Sequence, residues 1–155
     1  MFKLSKRSLG KLEGVHPDMV ETVKLAITLT KIDFGITCGV RTLEKQKKLL
    51  AAGKSQTMKS KHLLQSDSYS HAIDALAYVD GDVCWELNIY DEICDAMAAA
   101  AKVTGTSIKW GAAWSEGDIR SYESTAEKAM NNYIDLRKSQ GRKFFLDGPH
   151  FELMV

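Results

Sequence analysis

The run AIDALAYVDGDVCW at residues 72–85 has the pattern of a β-hairpin. Two β-prone runs, 72–79 and 82–85, flank Asp80-Gly81, a dipeptide that readily adopts the positive φ angles of a two-residue hairpin turn. Because a hairpin places its two strands antiparallel, we predict an α+β fold in which helices flank a small antiparallel sheet. A doubly wound parallel sheet is disfavoured.

The segments around this hairpin alternate between strand and helix patterns. The further predicted strands are residues 33–40, residues 107–111 and the C-terminal end after Asp147-Gly148-Pro149. The predicted helices are residues 17–30, 42–53, 88–103 and about 125–139. Thr42 is the expected N-cap of the second helix, and Ser124 with Glu127 forms a capping box for the last one. Residues 54–70 follow neither period, which predicts a loop.

Length and composition limit the class of protein. The chain has 155 residues, 45% hydrophobic and 26% charged, so we expect residues 1–155 to form a single domain. Lys plus Arg (21) nearly balance Asp plus Glu (20), which leaves no basic field for nucleic acid or anionic lipid. We see no apolar run long enough for a signal peptide or a membrane span, and an odd number of cysteines fits a reducing compartment.

Histidines and aspartates supply the candidate chemistry. His62 lies in the polar loop, Asp74 near the start of a predicted strand, and His150 just before the last strand. Two imidazoles and one carboxylate are a known ligand set for catalytic zinc, which keeps a fourth position for water. Asp147, three residues before His150, could face the same metal and accept a proton from that water. Spacing alone gives this set little specificity.

Structural roles are expected for the other histidines and for the cysteines. His16 precedes Pro17 at a helix start. His71 and Asp74 are three positions apart, so on a strand they point to opposite faces, and a groove-lining or solvent position is favoured for His71. Apolar surroundings predict inert core thiols for the cysteines, which are Cys38, Cys84 and Cys94.

Several motifs, in a familiar order, resemble a known family. They are GVRTLEKQ (39–46), SKH (60–62), HAID (71–74), AYVDGDVCWEL (77–87), WGAAW (110–114) and DGPHFEL (147–153). Together they look like the zinc L-alanyl-D-glutamate peptidases of bacteriophage endolysins, relatives of the D-alanyl-D-alanine carboxypeptidases. The resemblance implies the hedgehog/D-alanyl-D-alanine peptidase fold. It also implies Zn²⁺ as the cofactor, with His62, Asp74 and His150 as its ligands.

The same resemblance implies roles for further residues. Asp147 corresponds to the family's catalytic carboxylate, and Arg41 to an arginine expected to bind substrate or stabilise the oxyanion. The resemblance also implies substrate binding by four side chains, which are Ser60, Gln46, Trp110 and Trp114, with the two tryptophans lining the cleft.

The sequence departs from the family pattern in two places. Asp74 follows His62 by twelve positions, so residues 63–70 (LLQSDSYS) contain a five-residue insertion, and Ser70 replaces a glycine. Loop-closure entropy grows only slowly with length, so the ligands can still converge. Residues 115–146 form a second long connection, which is brief in shorter relatives.

The function implied by this resemblance is that of an endolysin. Such an enzyme is a zinc peptidase that hydrolyses the L-alanyl-D-glutamate amide of the peptidoglycan stem peptide. Two alternatives stay open, a D-alanyl-D-alanine carboxypeptidase and a non-catalytic cell-wall-binding protein of the same fold. We expect a monomer that stays in the host cytoplasm until a separate holin releases it to the wall, without nucleic-acid binding or membrane insertion.

Overall fold

The computed structural model describes residues 1–55 and 57–154. Within these ranges the chain forms five α-helices and five β-strands. The helices are α1 (Lys6–Lys11), α2 (Pro17–Leu29), α3 (Leu43–Ala51), α4 (Leu87–Thr104) and α5 (Ala126–Ser139). The strands are β1 (Asp33–Cys38), β2 (Ala72–Val79), β3 (Asp82–Cys84), β4 (Ile108–Trp110) and β5 (His150–Leu153). Two short 3₁₀ turns, Trp114–Glu116 and Ile119–Ser121, lie between β4 and α5.

The strand pairings within the sheet are antiparallel, which confirms the predicted α+β class. The strand order is β1-β2-β5-β4, and β3 also pairs with β2. Strand β5 pairs with residues 72–74 of β2, and β3 pairs with residues 77–79. At the predicted hairpin turn, Asp80 has φ 52° and Gly81 has φ 83°, the positive pair that such a turn requires. Strand β2 is therefore the centre of the sheet.

The core lies where α2 and α4 pack against each other and against the sheet. Val23 and Ala26 of α2 are fully buried, as are Ile93 and Cys94 of α4. The sheet adds fully buried side chains that include Ile73, Ile108, Trp110 and Phe151. His16 caps α2, because its Nδ1 accepts a hydrogen bond from the backbone N–H of Asp18 (3.1 Å), as expected for a residue at a helix start.

One helix and one N-cap differ from the prediction. Helix α1 was not anticipated; its Ser8 hydroxyl accepts a hydrogen bond from the Ile36 N–H of β1 (3.0 Å). The capping box at Ser124 is wrong by one residue, since Thr125 is the N-cap and its hydroxyl accepts from Lys128 N–H (3.2 Å). The carboxylate of Asp95 in α4 accepts a hydrogen bond from the N–H of Ala126, the first residue of α5 (2.8 Å). A tertiary contact therefore helps to set where α5 begins.

Residues 63–70, which contain the five-residue insertion, form a compact loop, here called the excursion. Within it the Gln65 N–H donates to the Tyr69 carbonyl (2.9 Å). Asp67 contacts His71, with 2.7 Å between Oδ2 and Nε2. His71 is therefore buried, which corrects the groove or solvent position predicted for it. The excursion returns at Ser70, whose N–H donates to the Gly14 carbonyl (2.9 Å), so it packs towards the start of α2.

Among the residues described, no helix combines the length and the apolar character needed to cross a membrane.

Candidate metal centre

Three separate elements bring the predicted ligands together. Asp74 of β2 lies directly opposite His150 of β5 in the sheet register. His62 reaches the same point from the loop that follows α3. Both imidazoles meet one carboxylate oxygen, since Asp74 Oδ1 is 3.2 Å from His62 Nε2 and 3.2 Å from His150 Nδ1. The two ring centroids are 5.1 Å apart.

Hydrogen bonds on the far sides of the two rings select which nitrogens face this point. His62 Nδ1 is 2.8 Å from the Gly39 carbonyl, which can only accept, so Nδ1 is the donor and Nε2 is the nitrogen that faces Asp74. His150 Nε2 is 2.9 Å from a carboxylate oxygen of Glu152, which leaves Nδ1 for the site. A carbonyl or carboxylate behind a histidine is the usual support of a metal-ligating imidazole. The donor set of two nitrogens and one carboxylate oxygen therefore fits zinc.

The three groups are electrostatically coupled. Burial favours a higher pKa for Asp74, but hydrogen bonds from His150 and His62 outweigh it and hold the pKa of this carboxyl well below its usual range. Burial opposes the charged form of both histidines, yet the contact with Asp74 raises the pKa of His62 to about 10 and that of His150 to about 9. Because protons and metal ions compete for the same nitrogens, metal affinity here depends on pH.

Asp147 lies beside this centre. One ligand atom each from Asp74, Asp147 and His150 fall within 4.8 Å of one another. Burial and the neighbouring charge of Asp74 raise the pKa of Asp147. The Asp147 carbonyl accepts from His150 N–H (3.1 Å), and Asp147 N–H donates to the Gly111 carbonyl (2.9 Å), so this turn is fixed at both ends. A carboxylate held here with a raised pKa is suited to accepting and returning a proton.

The WGAAW segment supports that turn. A side chain at Gly111 would collide with the Asp147 carbonyl, so only glycine allows this approach. Trp110 is fully buried, and its Nε1–H donates to the Gly148 carbonyl (2.8 Å). Trp110 was expected to line the cleft, and its burial corrects that expectation: it holds the turn from the core side.

Arg41 contacts the other carboxylate oxygen of Asp74. Its Nη2 is 3.5 Å from Asp74 Oδ2, and its Nη1–H donates to Gln46 Oε1 (2.9 Å). Gln46 is fully buried, and its amide N–H groups donate to Ser55 Oγ (2.8 Å) and to the Thr57 carbonyl. Substrate contact was predicted for Gln46, but with its side chain inside the protein it instead orients Arg41 and fixes the loop after α3.

The centre opens into a cavity of about 410 Å³, within the usual size range of ligand pockets. Two residues predicted to contact substrate, Ser60 and Trp114, line it. The Trp114 ring is 5.7 Å from the His150 ring, and its Nε1–H donates to the Phe145 carbonyl (3.1 Å). The full lining is Arg41, Leu49, Lys54, Ser55, Thr57, Lys59, Ser60, Lys61, His62, Asp74, Trp114, Phe145, Asp147, His150 and Glu152.

Cys38 was missed by the sequence analysis as a neighbour of the site. It is half-buried rather than an inert core thiol, because a register shift between Ile36 and Cys38 sets it opposite Asp74. Its Sγ is 3.5 Å from His62 Nδ1; burial opposes the thiolate, but the His62 hydrogen bond prevails and lowers the pKa of the thiol. Cys38, His62 and Asp74 also offer ligand atoms within 4.8 Å of one another. His62 Nδ1, the nitrogen nearest Cys38, is already hydrogen-bonded to the Gly39 carbonyl. The set of His62 Nε2, Asp74 and His150 Nδ1 therefore fits a metal better than the set that contains Cys38.

Comparisons with known proteins find L-alanyl-D-glutamate peptidases, and the matches cover nearly the whole chain. A family model described as "Phage L-alanyl-D-glutamate peptidase" matches residues 1–154. The L-alanyl-D-glutamate peptidase of Escherichia phage T5 is 30% identical over 157 aligned residues, which cover 99% of this chain and 98% of that protein. The crystal structure of the Serratia marcescens L-Ala D-Glu endopeptidase ChiX superposes with a TM-score of 0.71 at 29% identity. That match covers 99% of this chain and 90% of the Serratia chain, so the similarity extends well beyond the motifs of the site.

Proposed function

The chain belongs to the phage L-alanyl-D-glutamate peptidase family, and we propose that it hydrolyses the L-alanyl-D-glutamate amide of the peptidoglycan stem peptide with one zinc ion. His62 Nε2, Asp74 and His150 Nδ1 would hold the ion. The observation that supports this most directly is the meeting of both histidines at one oxygen of Asp74, each with its other nitrogen already bonded.

The chemistry follows from the groups around that point. Zinc bound there supplies a Lewis acid that polarises a carbonyl and acidifies water. Asp147 takes the proton from the attacking water and passes it to the leaving amine, a transfer that its raised pKa assists. Arg41, held by Gln46, is positioned to donate hydrogen bonds to the oxygen that becomes negative. Glu152 keeps the His150 ring in the tautomer that ligation requires.

Analysis of digested cell wall tests this proposal. Purified peptidoglycan is incubated with zinc-loaded protein, with chelator-treated protein and with the His150→Ala variant, and the products are identified by mass spectrometry. We expect peptides with a new N-terminal D-glutamate from the loaded protein alone. Release of terminal D-alanine would identify a carboxypeptidase, and adsorption without products would identify a binding protein; either result overturns the proposal.

The route to the wall also remains a prediction. We propose that the protein acts as a monomer and reaches peptidoglycan when a separate holin opens the host membrane. Light scattering of the purified protein, and lysis assays with and without a co-expressed holin, check these two points.

A further inference from the structure

The lining of the cavity beside the metal centre carries charges of both signs. Its acidic residues, Asp74, Asp147 and Glu152, are at or next to the centre. Lys54 and Lys59 line it from the loop that follows α3. A substrate that enters therefore experiences a field that orients it before any bond is broken.

The positive charges of Lys54 and Lys59 are not neutralised within the described part of the chain. Neither ammonium lies within 4 Å of a carboxylate oxygen there. Arg41, by contrast, already faces Asp74, and Lys61 adjoins His62, one of the proposed metal ligands. The two loop lysines are thus the cations of the cavity left for a ligand.

Two described residues of the loop that bears these lysines are tied to the core. The buried Gln46 amide binds Ser55 and Thr57, which lie between Lys54 and Lys59 in the sequence. The Ser60 hydroxyl accepts from His62 N–H (3.2 Å), which ties the end of the loop to a proposed ligand. The same buried glutamine holds Arg41, so one residue ties both the guanidinium and the loop that bears the lysines.

The chemistry of the substrate supplies the anion. A glutamate whose amine is acylated by alanine retains two carboxyl groups, and a peptide that continues through one of them leaves the other free. This free carboxylate belongs to the same residue as the scissile nitrogen. It is repelled by the carboxylates at the centre and attracted to the ammonium groups of the cavity lining.

We propose that Lys54 and Lys59 form a subsite for the free carboxylate of the glutamate that follows the scissile bond, so that the enzyme selects a glutamate over its carboxamide. This inference rests on the proposed function, since that function defines the residue bound there. Lys54 and Lys59 are specificity residues and take no part in the proton transfers assigned to Asp147.

Binding to an inactive protein tests the subsite without consuming the peptide. Zinc-loaded Asp147→Asn protein is titrated with an alanyl-D-glutamyl peptide that carries a free carboxylate and with the same peptide carrying a carboxamide. We expect the carboxylate to bind about fivefold tighter or more at low salt, the scale of a solvent-accessible ion pair, with less preference at high salt. Adding Lys54→Gln and Lys59→Gln should abolish the preference and leave carboxamide binding unchanged.

The double variant Lys24→Gln/Lys47→Gln is the matched control, because Lys24 on α2 and Lys47 on α3 are exposed outside the cavity lining and their loss changes the net charge equally. It should retain the preference. Equal binding of the two peptides, or equal losses on both in the double variant, would refute the subsite and leave the lysines as a general attraction for anionic wall polymer. Failure of the wild type to cleave either peptide while the preference persists would instead refute the proposed function alone.

Discussion

Truncation of Glu152 tests whether this residue orients a metal ligand or moves protons itself. Its carboxylate lies 2.9 Å from His150 Nε2, on the side of the ring away from Asp74. A hydrogen bond to a charged group contributes about 1.5–3 kcal/mol, which corresponds to about a 10- to 100-fold change in a binding constant. Losing such a bond behind a ligating histidine lowers metal affinity by about the same factor.

We therefore expect Glu152→Ala to weaken zinc binding about 10- to 100-fold. Glu152→Gln keeps an acceptor for the imidazole N–H and should weaken binding less. Competition titration against a chromogenic chelator at fixed pH measures both affinities. Glu21→Ala is the control: it removes an exposed glutamate of α2 and should leave the zinc affinity unchanged.

Turnover at saturating zinc supplies the decisive comparison. If Glu152 only supports His150, activity returns close to the wild-type level once the site is filled. Unchanged zinc affinity in Glu152→Ala, together with a loss of about 100-fold in turnover, would assign the proton transfer to Glu152 and remove Asp147 from the mechanism.

Four further outcomes follow from the structure. Asp147→Asn should stay folded and zinc-loaded and lose about 100-fold or more in turnover; near wild-type hydrolysis of cell walls would contradict its role. Deletion of residues 64–68 should leave zinc stoichiometry near one, whereas loss of zinc from a folded variant would show that the excursion positions the ligands. Gln46→Leu should lower turnover more than zinc content, because it removes the hydrogen bonds that hold Arg41, Ser55 and Thr57; melting curves and metal analysis separate a loss of stability from a loss of metal. Burial, with the charge of Glu127, raises the pKa of Asp91 to about 6. The protonated carboxyl therefore stabilises the fold fully below about pH 4, and this stabilisation is lost as the pH rises through 6. Asp91→Asn should remove this pH-dependent loss of about 1–3 kcal/mol in the free energy of unfolding, measured by melting curves at pH 4 and 7.5.

Local patterns predicted much of the fold because local forces dominate at those points. Thr42 caps α3 and Asp80-Gly81 turns the hairpin through contacts within a few residues. The capping box at Ser124 failed because Asp95, thirty-one residues away, takes part in fixing the start of α5. Helix α1 was missed because it is short and is held by a contact with β1 rather than by a strong pattern of its own.

The site shows the same division. Which residues carry the chemistry could be inferred from the motifs, but which way their neighbours face could not. Gln46 and Trp110 occur in the motifs that surround the cleft, yet both point into the interior and act on the site through hydrogen bonds. Cys38 reaches His62 only because of a register irregularity in β1, which no apolar pattern reveals.

Backbone pairing explains how the ligands tolerate a five-residue insertion between them. Asp74 and His150 are opposite each other in the sheet, so their approach depends on register, which a one-residue slip would destroy. His62 is fixed on both sides by backbone bonds, since its carbonyl accepts from Arg41 N–H (2.9 Å) and the Lys61 carbonyl accepts from His71 N–H (2.8 Å). The excursion begins after His62 and ends before His71, so these two hydrogen bonds hold the chain at both of its ends. Its length can therefore change at the cost of loop entropy and of its own contacts, such as that of Asp67 with His71, while the metal-binding geometry stays with the sheet.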